Sequence, residues 1–246
     1  MHVPSSHRPP AREPKYYRVK RHLLASIDSL EPGRPVPTER ELAADLDTSR
    51  TTVRQALIEL VAEGRLVRRQ GSGTYVAEAK MTWPQDLAGF TEQAEANGLV
   101  ASSRLLDSSR IRADEEVAEK LGLNRGAPVY RIDRLRLADD HPIAVESSLL
   151  SAERFPRLGT IMRTSGSLHT VLSETFGVRL RRGEESIEVT PASPELASLL
   201  KTDTGSPLLV VKRRSFAADK TPVEWGTSWF RGDRITLVTT LSQRAR

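Results

Sequence analysis

Two pairs of arginines carry most of the chemistry that can be read from these 246 residues. Arg50 and Arg54 stand one helical turn apart on the exposed N-terminal half of a helix predicted to start near Ser49. From that half a guanidinium can enter a major groove and bond guanine O6 and N7 together, worth about 1–3 kcal/mol of discrimination between bases. The ordinary alternative is a surface contact, with Glu59 as the partner of Arg54 or Gln55. Arg134 and Arg136 share one face of a predicted strand with Tyr130 and Ile132, because strand side chains alternate. On an exposed face they are solvated charges. On a covered face two unpaired cations are costly, and a phosphate or carboxylate would compensate them through forked, charge-assisted hydrogen bonds. Ser165 and Ser167 stand at the start of a helix predicted over 167–176, whose free amides and dipole favour an anion. Glu146 and Glu224 lie on later strands and can accept from hydroxyls or an amine. Phosphate at one end and carboxylates at the other suit a sugar phosphate.

Other chemistries are excluded by residue type. The chain has no cysteine, which removes thiolate zinc fingers, iron–sulfur clusters, thiol nucleophiles and disulfides, and suits a reducing compartment. Its five histidines, His2, His7, His22, His141 and His169, form no metal-ligand spacing, and no cofactor is implied. Residues 1–76 hold 13 Lys and Arg against 9 Asp and Glu, so most of the net charge of +5 sits in the first third. A basic segment on a near-neutral remainder fits nucleic-acid binding by phosphate neutralisation. The N-terminus MHVPSSHRPPAREP is polar and proline-rich, read as a disordered tail over 1–14 rather than a secretory signal. No run approaches the ~20 apolar residues of a membrane span, so a soluble, cytoplasmic protein without a membrane partner is expected.

The length suits two modest domains at ~150 residues each. Tyr16, Val19, Leu23, Ile27 and Leu30 fall on one helix face, stopped by Pro32 and Gly33. Thr38 and Glu41 make a capping box that opens a short helix carrying Leu42 and Leu46. The helix from Ser49 buries Val53, Ala56, Leu57 and Leu60 and ends at Gly64. LVRRQGSGTYV, 66–76, reads as two short strands around Gly71–Gly73, with Arg68 and Arg69 beside the turn. Three helices and a basic hairpin over 15–76 make a winged helix-turn-helix.

A linker is expected over 77–83 and a second domain over 84–246. There the pattern alternates a helix over 85–97, a strand over 103–111, a helix over 114–121 capped by Asp114, and a strand over 129–137. Val129–Leu150 aligns with Leu209–Phe230 at an offset of eighty, each with a preceding helix. This reads as an internal duplication of a helix and a β-hairpin, and predicts an antiparallel sheet with helices packed on one side. The fold class is α+β.

PVPTERELA and TSRTTVRQALIELVAEGRLVRRQGSGTYV resemble the DNA-binding domain of GntR-type bacterial transcription regulators. The resemblance implies that Arg40 and Arg50 contact phosphate or base edges, that Arg54 reads guanine, and that Ser49 and Thr52 hold the DNA backbone. Gly71 would approach the minor groove, with Arg68, Arg69 and Gln70 beside it in the DNA-binding set. GFTEQAEANGL, ERFP and PVEWGTSWFRGDR resemble the effector-binding (UTRA) domain of the HutC subfamily, whose fold is similar to chorismate lyase, and in particular regulators of N-acetylglucosamine use. The implied effector is glucosamine 6-phosphate or its N-acetyl form, with Arg134, Arg136, Ser165, Ser167, Phe90 and Thr91 at the phosphate and Glu146 and Glu224 at the sugar. Where that group has tyrosine, this chain has Phe230, which removes a hydroxyl expected to face the ligand. Phe230 is either a lining residue or plain core.

The resulting expectation is a DNA-binding repressor of amino-sugar uptake and catabolism, not an enzyme, acting as a homodimer on a short palindrome. The alternatives are the same regulator with another sugar phosphate or an organic acid, and an enzyme on a small anionic substrate. Against the enzyme, no nucleophile, base and orienting group stand together, and His141 and His169 read as structural. Arg54→Ala is expected to lose discrimination between operator and scrambled duplex, and Arg68→Ala to weaken binding to all DNA with a shallower salt dependence. Anisotropy titrations at several salt concentrations check both, and retained discrimination in Arg54→Ala would refute the assignment of the recognition helix.

Overall fold

A computed structural model describes residues 14–69, 72–77 and 80–240, and the chain divides into two units, Met1–Ala79 and Lys80–Arg246. In the first, α1 (Lys15–Ile27) buries Val19, Leu23 and Ile27. It ends before Leu30, which is exposed, so the apolar face is shorter than its spacing suggests. Ser26 and Ser29 turn their hydroxyls onto the carbonyls of His22 and Ser26 and compete with the helical pattern there. α2 (Glu39–Asp45) opens on the expected capping box: Thr38 Oγ1 accepts from the Glu41 amide at 3.3 Å, and Glu41 Oε2 accepts from the Thr38 amide at 2.8 Å. α3 (Arg50–Ala62), capped by Ser49, buries Val53, Ala56, Leu57 and Leu60 against the apolar face of α1. β1 (Leu66–Arg69) and β2 (Gly73–Val76) pair antiparallel from Leu66↔Val76 to Arg69↔Gly73. These are the parts of the winged helix-turn-helix in the expected order.

The second unit begins with β3 (Met81–Pro84), which buries Met81 and Trp83. From Met81 onward the expected linker is therefore a strand; its partner comes from the far end of the chain and could not be read locally. α4 (Phe90–Ala96) starts later than the expected 85, because Asp86 Oδ1 accepts from the Ala88 amide and from Gln93 Nε2, folding 86–89 into a turn. There follow β4 (Ala101–Arg112), α5 (Glu115–Leu121, capped by Asp114), β5 (Pro128–Ala138), β6 (His141–Ser151), the short α6 (Leu158–Ile161) and α7 (Leu168–Phe176). The chain continues through β7 (Arg182–Pro191), α8 (Pro194–Leu200), β8 (Pro207–Phe216), β9 (Pro222–Arg231) and β10 (Ile235–Val238), which pairs parallel with β3.

Six strands form one antiparallel sheet in the order β4-β5-β6-β9-β8-β7. Each half is a strand, a helix and a hairpin, β4-α5-β5-β6 and β7-α8-β8-β9, and the halves meet at β6 and β9. The duplication thus extends one strand further back than the aligned segments. The expectation of helices on one side is corrected. α4, α6 and α7 pack with residues of one sheet face, among them Ile132, Ala144, Leu150 and Phe230. α5 and α8 pack with Val129, Leu135, Val145, Leu149 and Trp229 of the other face. Both faces of a strand pair carry apolar side chains here, so neither is left to solvent.

Thr38→Ala removes the cap that starts α2 and is expected to cost about 1 kcal/mol, measured as a lower midpoint for the first transition in urea; an unchanged midpoint would show that α2 does not depend on the box.

Candidate functional site

On the first unit, Arg40, Arg50 and Arg54 are exposed, as is the Ser49 cap of α3. Ser49 Oγ accepts from the Thr52 amide at 3.1 Å and lies 2.8 Å from Thr52 Oγ1, so both hydroxyls are engaged in starting the helix. Arg54 does not pair with Glu59, which bonds Lys20 Nζ at 3.0 Å. Its partner is Glu39 at the start of α2: Nε lies 3.0 and 3.1 Å from the two carboxylate oxygens and Nη2 2.8 Å from one. Arg68 Nη2 donates to the same carboxylate at 3.3 Å, and Arg50 Nη2 lies 4.0 Å from it. The bonded Arg54 guanidinium, followed by the fields of Arg68 and Arg50, holds the Glu39 carboxyl below the usual carboxylate range. Arg69 ends β1 opposite Gly73, while Gln70 and Gly71 lie outside the described residues.

On the second unit, the register brings the predicted ligand residues into neighbouring rows on one face of the sheet. Arg134 stands opposite Glu146, which stands opposite Ser228; in the next row Arg136, Ala144 and Phe230 align. The starts of α4 and α7 close over these rows. Gly89, which precedes α4, comes so near His169 that a Cβ there would lie 3.0 Å from His169 Nδ1, a contact that the imidazole would have to yield to. The resulting cleft is open to solvent at its mouth. Its walls include Arg134, Arg136, Glu146, Glu224, Ser167 and Phe230.

Both arginines are buried, 6% and 2% exposed, as the anion reading requires. They are not unpaired, however. Arg134 Nη2 donates to Glu146 Oε2 at 2.9 Å, and Arg136 Nε lies 3.6 Å from the same oxygen. Arg136 also donates to the Gly166 carbonyl at 2.9 Å and to Thr91 Oγ1 at 3.2 Å, and stacks on the Phe90 ring at 4.6 Å. The Nε atoms of both arginines have no hydrogen-bond acceptor. Burial pulls the Arg136 guanidinium down to about 10, with Glu146 opposing and Arg134 adding to that shift. For Glu224, burial pushes the carboxyl up, but the neighbouring His169, with Ser148 and Arg134, outweighs it and holds it at about 2. His169 Nε2 lies 3.9 Å from Glu224 Oε2.

One predicted residue is placed differently. Ser165 lines a second cavity with Ser103, Arg163 and Thr164, and Arg134 borders both cavities. Ser167 caps α7, accepting from the Thr170 amide at 3.2 Å. Phe230 is both alternatives at once: it is 2% exposed, packs edge-on to Trp83 at 5.0 Å and also lines the cleft. His169, read as structural, lines the cleft, whereas the exposed His141 opens β6 beside the β5–β6 turn, with Nδ1 2.8 Å from the Asp139 carbonyl. Ser148, Ser228 and Arg213 also line it and were missed. Strand alternation from Glu146 and Glu224 points to Ser148 and Ser228; Arg213 and His169 carry no comparable local signal.

With this geometry in place, residues 15–76 match the bacterial regulatory proteins of the gntR family, and residues 96–236 match the UTRA domain. The chain belongs to the GntR family and carries a UTRA domain. It is 36% identical over 228 residues to the HTH-type transcriptional repressor NagR of Bacillus subtilis, covering 92% of this chain and 93% of that one. It is 35% identical to the HTH-type transcriptional repressor PhnF of Mycolicibacterium smegmatis, covering 90% of each. The crystal structure of PhnF from Mycobacterium smegmatis superposes with a TM-score of 0.67 at 34% identity, covering 92% of this chain and all of that one. The GntR-family chain is a DNA-binding transcription regulator and not an enzyme, which sets aside the enzymatic alternative. No helix among the described residues is long and apolar enough to cross a membrane.

Because the folded-state Glu224 carboxyl sits near 2 against an ordinary 4.5, its ionisation stabilises the fold above about pH 4.5, and that contribution is lost as pH falls towards 2. Glu224→Gln is therefore expected to show a smaller drop in Tm between pH 4.5 and 2 than the unmodified protein; an equal drop would show that this carboxylate is not linked to folding.

Proposed function

We propose that this regulator is a repressor of amino-sugar uptake and catabolism whose operator binding is controlled by glucosamine 6-phosphate or N-acetylglucosamine 6-phosphate. The observation that carries the proposal is the presence, in the walls of one cleft, of two buried guanidiniums and two largely buried carboxylates. A phosphate would bond Arg134 and Arg136, with Phe90, Thr91 and Ser167 around it. Glu146 and Glu224 would accept from the sugar's hydroxyls or amine. The resemblance of GFTEQAEANGL, ERFP and PVEWGTSWFRGDR to regulators of N-acetylglucosamine use supports an amino sugar. The phenyl ring of Phe230 in the cleft wall favours a second reading, the same regulator with a different sugar phosphate or an organic acid, because the ring offers no hydrogen bond to a hydroxyl.

In this proposal a homodimer binds a palindrome, Arg50 and Arg54 face the major groove, and effector and DNA are coupled by about 1–3 kcal/mol. The effector would change the spacing of the two DNA-binding units so that it no longer matches the half-sites. Spin-label distances between those units, with and without effector, test this step; operator release at unchanged distances would reject it.

Fluorescence anisotropy of a labelled duplex, selected by the protein from a randomised pool, tests the effector. The titration is repeated at fixed salt with glucosamine 6-phosphate, its N-acetyl form, glucose 6-phosphate and inorganic phosphate. The amino-sugar phosphates alone are expected to shift the curve. A shift by glucose 6-phosphate as well would support the second reading, and no shift by any of them would overturn the sugar phosphate while leaving DNA binding intact.

A further inference from the structure

We propose that Glu39 is a positioning residue for base recognition, a carboxylate that clamps Arg54 by one edge so that the other edge is presented to a guanine. The inference rests on α3 being the recognition helix with Arg54 as its reader. A guanidinium has five N–H donors in a fixed plane. The Glu39 carboxylate takes the Nε hydrogen and one Nη2 hydrogen of Arg54, at 2.8–3.1 Å. That is the side-on edge. Both Nη1 hydrogens and the outer Nη2 hydrogen remain, and they form the end-on fork that matches guanine O6 and N7.

The charge arrangement argues against an incidental surface pair. Glu39 is enclosed by three arginines from two elements, Arg50 and Arg54 on α3 and Arg68 on β1. Its side chain is only 20% exposed, while those of the arginines are 64%, 55% and 43% exposed. A carboxylate on a face that meets phosphates opposes binding to any DNA, because it cancels part of the charge that would release counterions. Its compensating effect is on geometry. Arginine loses much rotamer freedom when it orders, and an arginine already held in its bound conformation loses less on binding. Glu39 therefore lowers indiscriminate affinity and raises discrimination. The start of α2, fixed by the Thr38 cap, sets where the clamp stands.

The test compares the full-length protein with Glu39→Gln, Glu39→Asp, Arg54→Ala and Glu39→Gln/Arg54→Ala, each checked for folding by its thermal melt. The probes are a duplex selected from a randomised pool by the unmodified protein, the same duplex with each half-site guanine replaced in turn by adenine, and a scrambled duplex, all titrated over a range of KCl. Glu39→Gln is expected to reduce the preference for one guanine about three- to ten-fold, and to bind scrambled duplex more tightly, with a salt slope steeper by about 0.9. Glu39→Asp keeps the charge but falls one methylene short, so it is expected to lose the same guanine preference with the slope unchanged. Arg54→Ala is expected to abolish preference at that guanine, and the double variant to be no worse. If Arg54→Ala abolishes the preference while both Glu39 variants retain it, Glu39 is no clamp and the inference fails alone. If Arg54→Ala leaves every guanine preference intact, the recognition-helix reading fails and the clamp with it.

Discussion

A guanidinium taken out of water must find counter-charge and acceptors, and the second unit is arranged around two of them. Arg134 and Arg136 project from one strand into a layer covered by α4 and α7, where an uncompensated cation would be strongly destabilising. The register places Glu146 opposite Arg134, and its carboxylate serves both arginines. The Gly166 carbonyl and Thr91 hydroxyl take further donors of Arg136. What remains is a pair of fully buried Nε groups without acceptors. A polar network left in that state is costly on its own account.

The cleft's position follows from the duplicated architecture. Each half of the sheet can supply one wall and one preceding helix, so a site shared between halves forms where β6 meets β9. α4 precedes the first half and α7 the second, and their starts meet at Gly89 and His169. Carboxylates from both halves enter, Glu146 from the first and Glu224 from the second. The duplication is not symmetric in chemistry. The position of Glu146 in the second half is Gly226, and the two buried arginines belong to the first half alone. The second half contributes a different arginine to the lining, Arg213.

The first unit uses the same kind of pair under the opposite dielectric condition. Around Glu39 the arginines are largely exposed, and their attraction to the carboxylate is screened by water and salt. Such a cluster contributes little to stability. It constrains direction, and direction is what a base edge requires. In both units a glutamate orients arginine; burial decides whether the consequence is felt as stability or as geometry.

Much of this was legible in the chain itself. The capping box at Thr38 and Glu41, the caps at Ser49 and Asp114, the period of α3, and the offset of eighty are local signals with local physical causes, and the elements they mark stand where expected. Strand alternation by itself put Arg134 and Arg136 on one face, and Glu146 followed as a companion carboxylate. The sequence could not show that Glu39, fifteen residues before Arg54, would displace Glu59 as its partner, because that depends on how α2 crosses α3. Nor could it show that Met81–Pro84 pairs with a strand more than one hundred and fifty residues away, or that His169 reaches Glu224. Residue types and periods determined the elements, their order and the charges they carry. Only tertiary structure decided which charges are buried and which carboxylate each arginine meets, since desolvation and pairing depend on distances between segments that no local pattern encodes.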